Sequence, residues 1–387
     1  MSTQPPRVLF VDHAAVMGGA EWSLLSLARR WRSERAVTLF EDGPFRQHLN
    51  EAEVPVDILP ASAAVLGATR GGGAVADLLT VPGILALATR LARQARRFDV
   101  LYANSQKALV IGAVAALLAR RPLVWHLRDI ITADHFSPAR RRLAVGLANR
   151  RAAYVICNSE ATAEAFMEAG GDPNKVRVVY NGISPAPFDA VAEDEVAQVR
   201  MALGVGETPV IGVFSRLAQW KGQHVLLEAL AYLSEAHALL VGDALFAEDR
   251  VYADALRAQA ASLGVTERVH FLGFRDDVPV LMKACDVVVH TSVAPEPFGR
   301  VLVEGALAGR PVVATDAGGA PEVINDGETG HLVPPGDAQA LADTLRTLLT
   351  DPIATPRIAE AGRQRALDHF SEEAMVRAVE ATLLDER

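Results

Sequence analysis

Short apolar segments alternate with longer helical patterns along the whole chain, and this alternation constrains the fold more than any other feature. Such alternation is typical of βαβ units, in which helices join parallel strands. A segment without a polar face, such as Val8 to Val11, is expected to be buried on both sides of a sheet. In the first half the apolar segments occupy positions 7–13, 36–40, 56–59, 100–104, 123–127, 154–158 and 176–180.

The pattern restarts after a stretch of different character. Positions 181–209 contain Pro185, Pro187 and an acidic cluster, which indicates a connection between domains. A chain of 387 residues also exceeds the size of most single cores. We therefore predict an α/β fold of two doubly wound, Rossmann-like domains, 1–185 and 186–370, that face each other across a cleft. The final helix, within 371–387, is expected to pack back on the first domain. Ligands of such domains bind beyond the carboxyl ends of the strands. The second series of apolar segments occupies positions 210–215, 238–242, 269–273, 287–291, 312–315 and 331–333.

Charge and cysteine content limit the partners and the compartment. The formal net charge of −9 argues against nucleic acid as a partner. Arginines are concentrated in the first half, where solvated helix faces explain them more simply than contact with anionic lipid headgroups. Cys157 and Cys285 lie in apolar segments, as expected of buried thiols in a reducing cytoplasm. The chain start is unlike a secretory signal, and the longest apolar run, 108–119, is shorter than the roughly 20 residues of a membrane span. We expect a cytoplasmic protein, at most peripheral at the inner face of the membrane.

Two cations follow the first strand predicted in the second half. Arg216 comes directly after this segment, and Lys221 lies near the start of the next helical pattern. Since both stand at one edge of the predicted sheet, they can converge on one phosphate group. A surface loop that carries two cations explains the pair equally well at this point.

The segment 294–304 is more informative. Two prolines and Gly299 form a loop that runs into an amphipathic helix, where backbone N–H groups can bind an anion. Glu296 in the loop and Glu304 in the helix can accept hydrogen bonds from adjacent hydroxyls of a ribose or a hexose. Helix capping by Glu296 and a solvated Glu304 are the structural alternative. No two aspartates stand at i and i+2, so no metal site is expected.

The first half contributes weaker signals. Gly18 and Gly19 join the first predicted strand to its helix and allow backbone to approach a ligand, although an ordinary tight turn also explains them. His126 ends a predicted strand, where a structural histidine is the simpler explanation and contact with a substrate hydroxyl the alternative. The candidates for binding an acceptor, which follow predicted strands, are Asn104, Arg128 and Asp129.

Taken in order, these motifs resemble those of the retaining glycosyltransferase family 4, also called glycosyl transferases group 1, over nearly the whole chain. The family has the GT-B fold, which consists of two Rossmann-like domains. The most specific element is the pair of glutamates, Glu296 and Glu304. One mild departure is Gly242-Asp243-Ala244, where family members often have a further glycine. The motifs that carry the resemblance are Gly-Gly-Ala-Glu (18–21), His126, Asn181-Gly182-Ile183, Arg216 with Lys221, Gly242-Asp243, Phe271-Leu-Gly273, Glu296-Pro-Phe-Gly299, Glu304, Gly318-Gly319-x-Pro-Glu322 and Thr329-Gly-x-Leu-Val-Pro-Pro-Gly336.

The resemblance implies roles for these residues. Arg216 and Lys221 would bind the diphosphate of a nucleotide-sugar donor. Glu304 would bind the ribose hydroxyls, and Glu296 the hydroxyls of the donor sugar. His126 would contact the sugar near the reacting carbon, so the catalytic set is His126, Arg216, Lys221 and Glu296. Other donor contacts would come from the glycine loop, the base-reading main chain and the loop before the helix, namely Gly18, Gly19, Phe274, Arg275, Phe298, Gly299, Arg300, Val301 and Leu302.

The implied reaction is front-face transfer of a hexose with retention at the anomeric carbon, without metal or cofactor. The leaving phosphate oxygen would help to deprotonate the acceptor hydroxyl. A UDP-sugar is the favoured donor and GDP-mannose the second choice. The acceptor is a glycan, a lipid-linked molecule or a small molecule, read by loops such as 67–73 and 132–142. The alternatives are a nucleotide-sugar epimerase of similar two-domain fold and a catalytically silent protein that binds sugar nucleotides.

Overall fold

A computed structural model describes residues 4–62, 74–132 and 137–384. The proposed loop 67–73 and part of the loop 132–142 lie outside these ranges. The chain divides into two compact units, which are Met1–Gly182 with Glu372–Arg387 (unit 1) and Ile183–Ser371 (unit 2). Each unit contains one parallel sheet between helices, which confirms the predicted α/β fold class.

Unit 1 contains a sheet of seven parallel strands in the order β3-β2-β1-β4-β5-β6-β7. The order reverses between β1 and β4, which creates a switch point for ligand binding at the carboxyl ends of these strands. The elements are β1 (Val8–Asp12), α1 (Gly19–Arg30), β2 (Arg35–Leu39), α2 (Pro44–Glu51), β3 (Val56–Ile58), α3 (Ala74–Ala95), β4 (Val100–Ala103), α4 (Gln106–Ala119), β5 (Leu123–Leu127), α5 (Pro138–Arg151), β6 (Ala152–Cys157), α6 (Glu160–Glu168) and β7 (Val176–Val178).

Unit 2 repeats this arrangement with six parallel strands in the order β10-β9-β8-β11-β12-β13. Its switch point lies between β8 and β11. The elements are α7 (Ala186–Asp189), α8 (Glu193–Ala202), β8 (Val210–Phe214), α9 (Gln223–Ala231), β9 (His237–Val241), α10 (Ala247–Ser262), β10 (Val269–Gly273), α11 (Val278–Ala284), β11 (Val287–His290), α12 (Arg300–Leu307), β12 (Val312–Thr315), α13 (Ala320–Val323), β13 (His331–Val333), α14 (Ala338–Thr350) and α15 (Ala354–His369).

The sheet of unit 1 is apolar on both faces because alternate residues of a strand point to opposite sides. Leu9 and Val11 of β1 enter one core, whereas Val8 and Phe10 enter the other. Both cores are completed by helices, as a parallel sheet requires.

The last helix, α16 (Glu372–Leu384), packs within unit 1. Its apolar face joins the core that contains Val8 and Phe10. Glu372 is almost fully buried and accepts hydrogen bonds from Arg29 at 2.5 Å and from Arg30 at 2.6 Å. Two guanidinium groups at the end of α1 thus hold the start of α16.

The remaining sequence expectations concern thiols and membrane spans. Cys157 and Cys285 are both buried and unpaired, as predicted. Burial raises the pKa of the Cys157 thiol to about 12. Within the described ranges, no helix combines the length and the apolar character that a bilayer crossing needs.

Candidate functional site

Polar side chains cluster where β11 of unit 2 ends. Lys221 donates a hydrogen bond of 2.5 Å to Oε2 of Glu296. His290 Nε2 lies 3.4 Å from the same oxygen, and the hydroxyl of Ser292 lies 2.9 Å from that nitrogen. Lys221 comes from the loop after β8 and Glu296 from the loop after β11. Since these two strands are neighbours at the switch point, the sheet brings the two loops together.

Backbone contacts fix the position of Lys221. The hydroxyl of Thr291 donates to the carbonyl oxygen of Lys221 at 3.0 Å. The following residue, Gly222, has a φ of +69°, and a Cβ built on it would lie 1.9 Å from the carbonyl oxygen of Thr291. Only glycine permits this approach. The loop after β8 is therefore locked against the end of β11.

A pair of glycines, Gly318 and Gly319, supports Glu296. The N–H of Gly319 donates to the carbonyl oxygen of Glu296 at 2.8 Å. A Cβ on Gly318, whose φ is +61°, would lie 2.2 Å from the same oxygen. The motif at 318–322 thus acts through the backbone, because it allows the loop after β12 to pack directly on the loop that carries Glu296.

The Glu296 carboxylate is ionised although it is largely buried. Burial by itself raises the pKa of such a group, but the charge of Lys221 and the hydrogen bond from His290 outweigh it. The pKa of Glu296 is therefore held well below its ordinary value. Lys221 and Glu296 have side chains that are only 14% and 15% exposed, so their ion pair is shielded from most of the solvent.

Arg216 has a carboxylate partner of its own. Its Nε lies 3.4 Å from Oδ2 of Asp249, and its guanidinium carbon lies 5.0 Å from the ring centre of Phe246. Gln223, at the start of α9, donates to the carbonyl oxygen of Arg216 at 2.8 Å. The two cations therefore lie in adjoining parts of one edge, but Lys221 is neutralised by Glu296 and Arg216 by Asp249.

The other predicted donor residues lie in the loop and the helix that follow β11. Gly299 has a φ of +80° and is the N-cap of α12, which Arg300, Val301 and Leu302 begin. Arg300 donates to Glu304 at 3.1 Å within the same helix, and both side chains are partly exposed. Phe298 is instead buried, with its ring centre 5.6 Å from that of Phe370. The side chain of Phe298 therefore has a packing role, which leaves its backbone for ligand contact.

Phe274 and Arg275 lie beyond the end of β10. Phe274 is 67% exposed, which is unusual for a large apolar side chain. Arg275 forms two hydrogen bonds with Asp277, at 2.8 and 2.6 Å. This pair fixes the turn, whereas the exposed ring of Phe274 is available for stacking.

The switch point of unit 1 contains a buried polar network. Asp12 ends β1 and accepts a hydrogen bond of 2.5 Å from Asn104, which follows β4. Arg128, after β5, donates to Asn104 at 3.1 Å and to Asn181 at 2.5 Å. Asp12 and Asn104 have no exposed surface, and Arg128 is 8% exposed. Two of the acceptor candidates, Asn104 and Arg128, thus belong to one network, whereas Asp129 is exposed.

Glu21 accounts for the first of the two glycines that precede it. It is the third residue of α1 and is 8% exposed. Burial and the charge of Asp12 together raise the pKa of Glu21 to about 8, against the opposing charge of Arg128. A Cβ on Gly18 would lie 2.9 Å from a carboxylate oxygen of Glu21, so the glycine makes room for this side chain. Gly19 is the first residue of α1.

His126 is fully buried at the end of β5. Its Nδ1 is hydrogen-bonded to the hydroxyl of Tyr102, whereas its Nε2 has no hydrogen-bond partner among the residues that the structure describes. Burial lowers the pKa of His126 well below its usual range, and the charge of Arg128 lowers it further. The imidazole is therefore neutral and has one nitrogen left for a ligand.

Several residues of these clusters escaped the sequence analysis. Three of them could have been found from their position, because Asp12, His290 and Ser292 end or directly follow apolar segments, as His126 does. Tyr102 and Asp249 gave no signal, since they lie inside a strand and a helix. In the described ranges, no group of three or more His, Cys, Asp or Glu side chains is arranged to hold a metal ion.

The two doubly wound units, each with its polar cluster at a switch point, define a GT-B glycosyltransferase fold. The family described as glycosyl transferases group 1 matches residues 199–365, and the glycosyl transferase 4-like domain matches residues 18–182. The chain belongs to this family, as its motifs predicted.

Solved structures similar to this chain cover nearly its full length. HepE of Anabaena, in complex with UDP and glucose, is 42% identical, has a TM-score of 0.89, and matches over 98% of this chain and 99% of its own. HepE in complex with UDP-glucose is 42% identical with a TM-score of 0.88, and the match covers 99% of this chain and 100% of HepE. Sucrose-phosphate synthase from Thermosynechococcus elongatus shares the fold, with a TM-score of 0.80 at 20% identity, over 99% of this chain and 98% of its own.

Curated relatives match over shorter stretches. The lipopolysaccharide core biosynthesis glycosyltransferase LpsE of Rhizobium meliloti is 33% identical over 224 residues, which cover 58% of this chain and 62% of LpsE. The 2-deoxystreptamine glucosyltransferase of Streptomyces kanamyceticus is 34% identical over 229 residues, 57% of either chain. This chain thus spans about three fifths of the length of these relatives.

Proposed function

We propose that the protein is a retaining, metal-independent hexosyltransferase that uses a UDP-sugar as donor and a hydroxyl group as acceptor. The observation that carries this proposal is the shielded Lys221–Glu296 ion pair at the switch point of unit 2. The 42% identity with HepE, a protein that was solved with UDP-glucose, supports UDP-glucose as the first donor to test and GDP-mannose as the second.

The charges of unit 2 suit a diphosphate leaving group. Cleavage of the glycosidic bond adds negative charge to the nucleoside diphosphate, which preorganised cations stabilise. Lys221 and Arg216 supply these cations, but each is bound to a carboxylate. We expect donor oxygens to take over part of these contacts. Glu296 then becomes available to the hydroxyls of the donor sugar, and Glu304 to those of the ribose.

The reaction itself needs little acid–base chemistry from the protein. The bond from the anomeric carbon to the phosphate oxygen breaks, and the bond to the acceptor oxygen forms on the same face. The proton of the acceptor hydroxyl moves to the leaving phosphate oxygen. His126, neutral and with Nε2 unpaired among the described residues, is suited to contact the donor sugar. Asn104 and Arg128 are our candidates for contact with the acceptor.

A donor screen with product analysis tests this function. Purified protein is incubated with UDP-glucose, UDP-galactose or GDP-mannose and an acceptor panel, with and without a chelator, and the product linkage is determined by NMR. We expect an α-linked product whose yield is unaffected by chelation. Lys221→Met and Arg216→Met should each lower transfer by about 10²-fold or more. Arg257→Gln, which removes an exposed arginine of α10, is the control.

Each competing interpretation gives a different result in this screen. An inverted product or a strict need for a divalent metal contradicts the proposed chemistry. Turnover of the donor without any acceptor identifies an epimerase. Donor binding without transfer to any acceptor identifies a silent sugar-nucleotide-binding protein. Near-normal transfer by both cation variants removes our assignment of the diphosphate site.

We also propose that unit 1 contacts an anionic membrane surface, which favours a lipid-linked acceptor. Leu117 and Leu118, at the end of α4, are 56% and 46% exposed. Two arginines lie nearby, since Arg96 donates to the carbonyl oxygen of Leu118 at 3.5 Å and Arg121 to that of Arg96 at 2.9 Å. Exposed leucines beside arginines fit the boundary between acyl chains and anionic headgroups.

Sedimentation with vesicles tests this contact. We expect binding to vesicles that contain phosphatidylglycerol and little binding to phosphatidylcholine alone. The double variant Leu117→Ser/Leu118→Ser should lose most of the binding, whereas Leu245→Ser, at an exposed leucine of unit 2, should retain it. Equal sedimentation of the double variant and the parent protein contradicts the proposal.

A further inference from the structure

A cavity of about 290 Å³ lies in unit 2, away from the edge that carries Lys221 and Glu296. Arg310, one of its lining residues, lies two positions before the start of β12, whereas the candidate donor residues follow the carboxyl ends of strands. The cavity is thus at the opposite edge of the sheet. It is lined by residues of α8, α11 and the end of α12 and their flanking segments, namely Val191, Ala192, Glu193, Val196, Lys283, Ala308 and Arg310.

Two cations line this cavity, Lys283 and Arg310. In the part of the chain that the structure describes, neither the ammonium group of Lys283 nor the guanidinium group of Arg310 forms a hydrogen bond or an ion pair. Nε of Arg310 is buried as well. A buried polar nitrogen without a hydrogen bond is costly, and an anion bound to the accessible part of the Arg310 guanidinium would offset part of this cost. Burial lowers the pKa of Arg310, in agreement with this cost.

The nearby carboxylate of Asp286 does not form an ion pair with Arg310. Asp286 acts on Arg310 only at longer range. Its Oδ2 is already bound to the guanidinium of Arg200 at 3.2 Å and to the N–H of Val210 at 2.8 Å. Arg200 donates in addition to the carbonyl oxygen of Ala284 at 2.8 Å. Asp286 is thus committed to the neighbouring arginine.

The other lining groups narrow the chemistry of a ligand. Glu193, at the start of α8, provides a carboxylate that can accept hydrogen bonds from hydroxyl groups. Val191, Val196 and Ala308 provide an apolar wall. The volume is at the lower end of the range for small-molecule sites, which is several hundred Å³.

We propose that this cavity binds the phosphate ester of a small polyol, such as a sugar phosphate, at a site separate from the donor site. Lys283 and Arg310 bind the phosphate group, and Glu193 accepts hydrogen bonds from the hydroxyls. The phosphate ester is either a soluble metabolite or the headgroup of a lipid. The site does not depend on the proposed transferase activity.

Calorimetry on the full chain tests the proposal, with UDP present in excess to occupy the donor site. The soluble probes are glucose 6-phosphate, glycerol 3-phosphate, glucose and inorganic phosphate. The lipid probe is vesicles of phosphatidylcholine with phosphatidic acid or phosphatidylinositol phosphate. The variants are Arg310→Gln and Lys283→Gln, and Arg257→Gln on α10, which does not line the cavity, is the control. Lys283→Gln changes only a partly exposed helical position, so it keeps the test valid if Arg310→Gln folds poorly.

We expect saturable binding of a soluble sugar or polyol phosphate that is weakened about tenfold or more in each cavity variant, because a charged hydrogen bond is lost. The control should bind as the parent protein does. If only vesicles bind, and the cavity variants reduce that binding, the lipid headgroup is the source of the phosphate ester. Equal affinity for inorganic phosphate and sugar phosphate indicates an adventitious ion only and overturns the proposal. Binding that neither cavity variant weakens, or no binding of any probe, also overturns it. A failure of the transferase itself leaves this binding result unchanged, so the two proposals are tested separately.

Discussion

Replacement of Lys221 by methionine removes the cation that keeps Glu296 ionised in a shielded site. The lysine nitrogen and the carboxylate oxygen are 2.5 Å apart, and the two side chains are 14% and 15% exposed. Removal of one partner of a buried ion pair typically costs about 3–5 kcal/mol. His290, 3.4 Å from the carboxylate, offers a partial substitute. We therefore expect Lys221→Met to lower the free energy of unfolding by about 2–3 kcal/mol at neutral pH.

The pH dependence of this loss follows from the pKa of Glu296. In the parent protein the pKa is depressed, so the stabilisation is complete above the unfolded-state value and is lost only as the pH falls towards the folded-state value. Without Lys221, burial is opposed by His290 alone, and the pKa rises. The variant is then least stable relative to the parent at neutral pH. The difference should narrow as the pH is lowered through about 4.5, the ordinary value for a glutamate.

Urea denaturation at neutral and at acidic pH measures both quantities. The double variant Lys221→Met/Glu296→Gln removes both charges, so it should recover most of the lost stability while transfer stays impaired. Lys283→Met is the matched control, because Lys283 has no ion pair among the described residues. A loss below about 0.5 kcal/mol in Lys221→Met, or no recovery in the double variant, would show that the two groups do not form a shielded ion pair.

Three further predictions concern backbone and buried carboxyl groups. Gly222→Ala should cost several kcal/mol in unfolding free energy, because its Cβ would lie 1.9 Å from a carbonyl oxygen. Gly264→Ala has the same φ of +69° but no atom within 4 Å, so it should cost only about 1–2 kcal/mol. Similar losses for the two variants in urea denaturation would contradict the close approach at Gly222. Glu372→Gln should lower the free energy of unfolding by about 2–4 kcal/mol and reduce the loss of stability at acidic pH, because hydrogen bonds from Arg29 outweigh burial and lower the pKa of Glu372. Glu373→Gln, at a half-exposed position, should change the free energy of unfolding by less than about 1 kcal/mol. Glu21→Gln should become more stabilising as the pH rises from about 4.5 to about 8, because ionisation of buried Glu21 opposes folding in that window; thermal melts that show no such trend would contradict the raised pKa.

The fold could be predicted because parallel βαβ units leave a strong periodic signal. Buried strands such as Val210–Phe214 are apolar throughout, and the prolines near 185 mark the change between the two series. The order of strands and the residues that meet at each switch point could not be read from periodicity. They depend on which strands become neighbours, and that is settled by packing between distant segments.

Residues of the candidate sites could be predicted where they lie at the end of a strand or directly after it. His126, Arg216 and Asn104 were found by this position, and the same rule applied to Asp12 and His290 would have found them. The partners were not predictable. The sequence places Arg216 and Lys221 five positions apart, yet one binds Asp249 and the other Glu296, each through tertiary contacts. The assignment of roles to these residues remains a prediction.

The two switch points hold their positive charge in different ways, and the difference follows from the partners. At the switch point of unit 2, Lys221 and Arg216 are each paired with a carboxylate, which offsets their positive charge. In unit 1 Arg128 is bound to the amide oxygens of Asn104 and Asn181, which have no net charge. The charge of Arg128 lowers the pKa of His126 and opposes the rise in the pKa of Glu21. Burial raises the pKa of Asp12, but hydrogen bonds from His13 and Asn104 outweigh it and lower the pKa, so Glu21 is the carboxyl group of this pair that stays protonated at neutral pH. An anion that binds Lys221 or Arg216 has to compete with Glu296 or Asp249, whereas unit 1 combines an arginine with an ionised aspartate and a protonated glutamic acid.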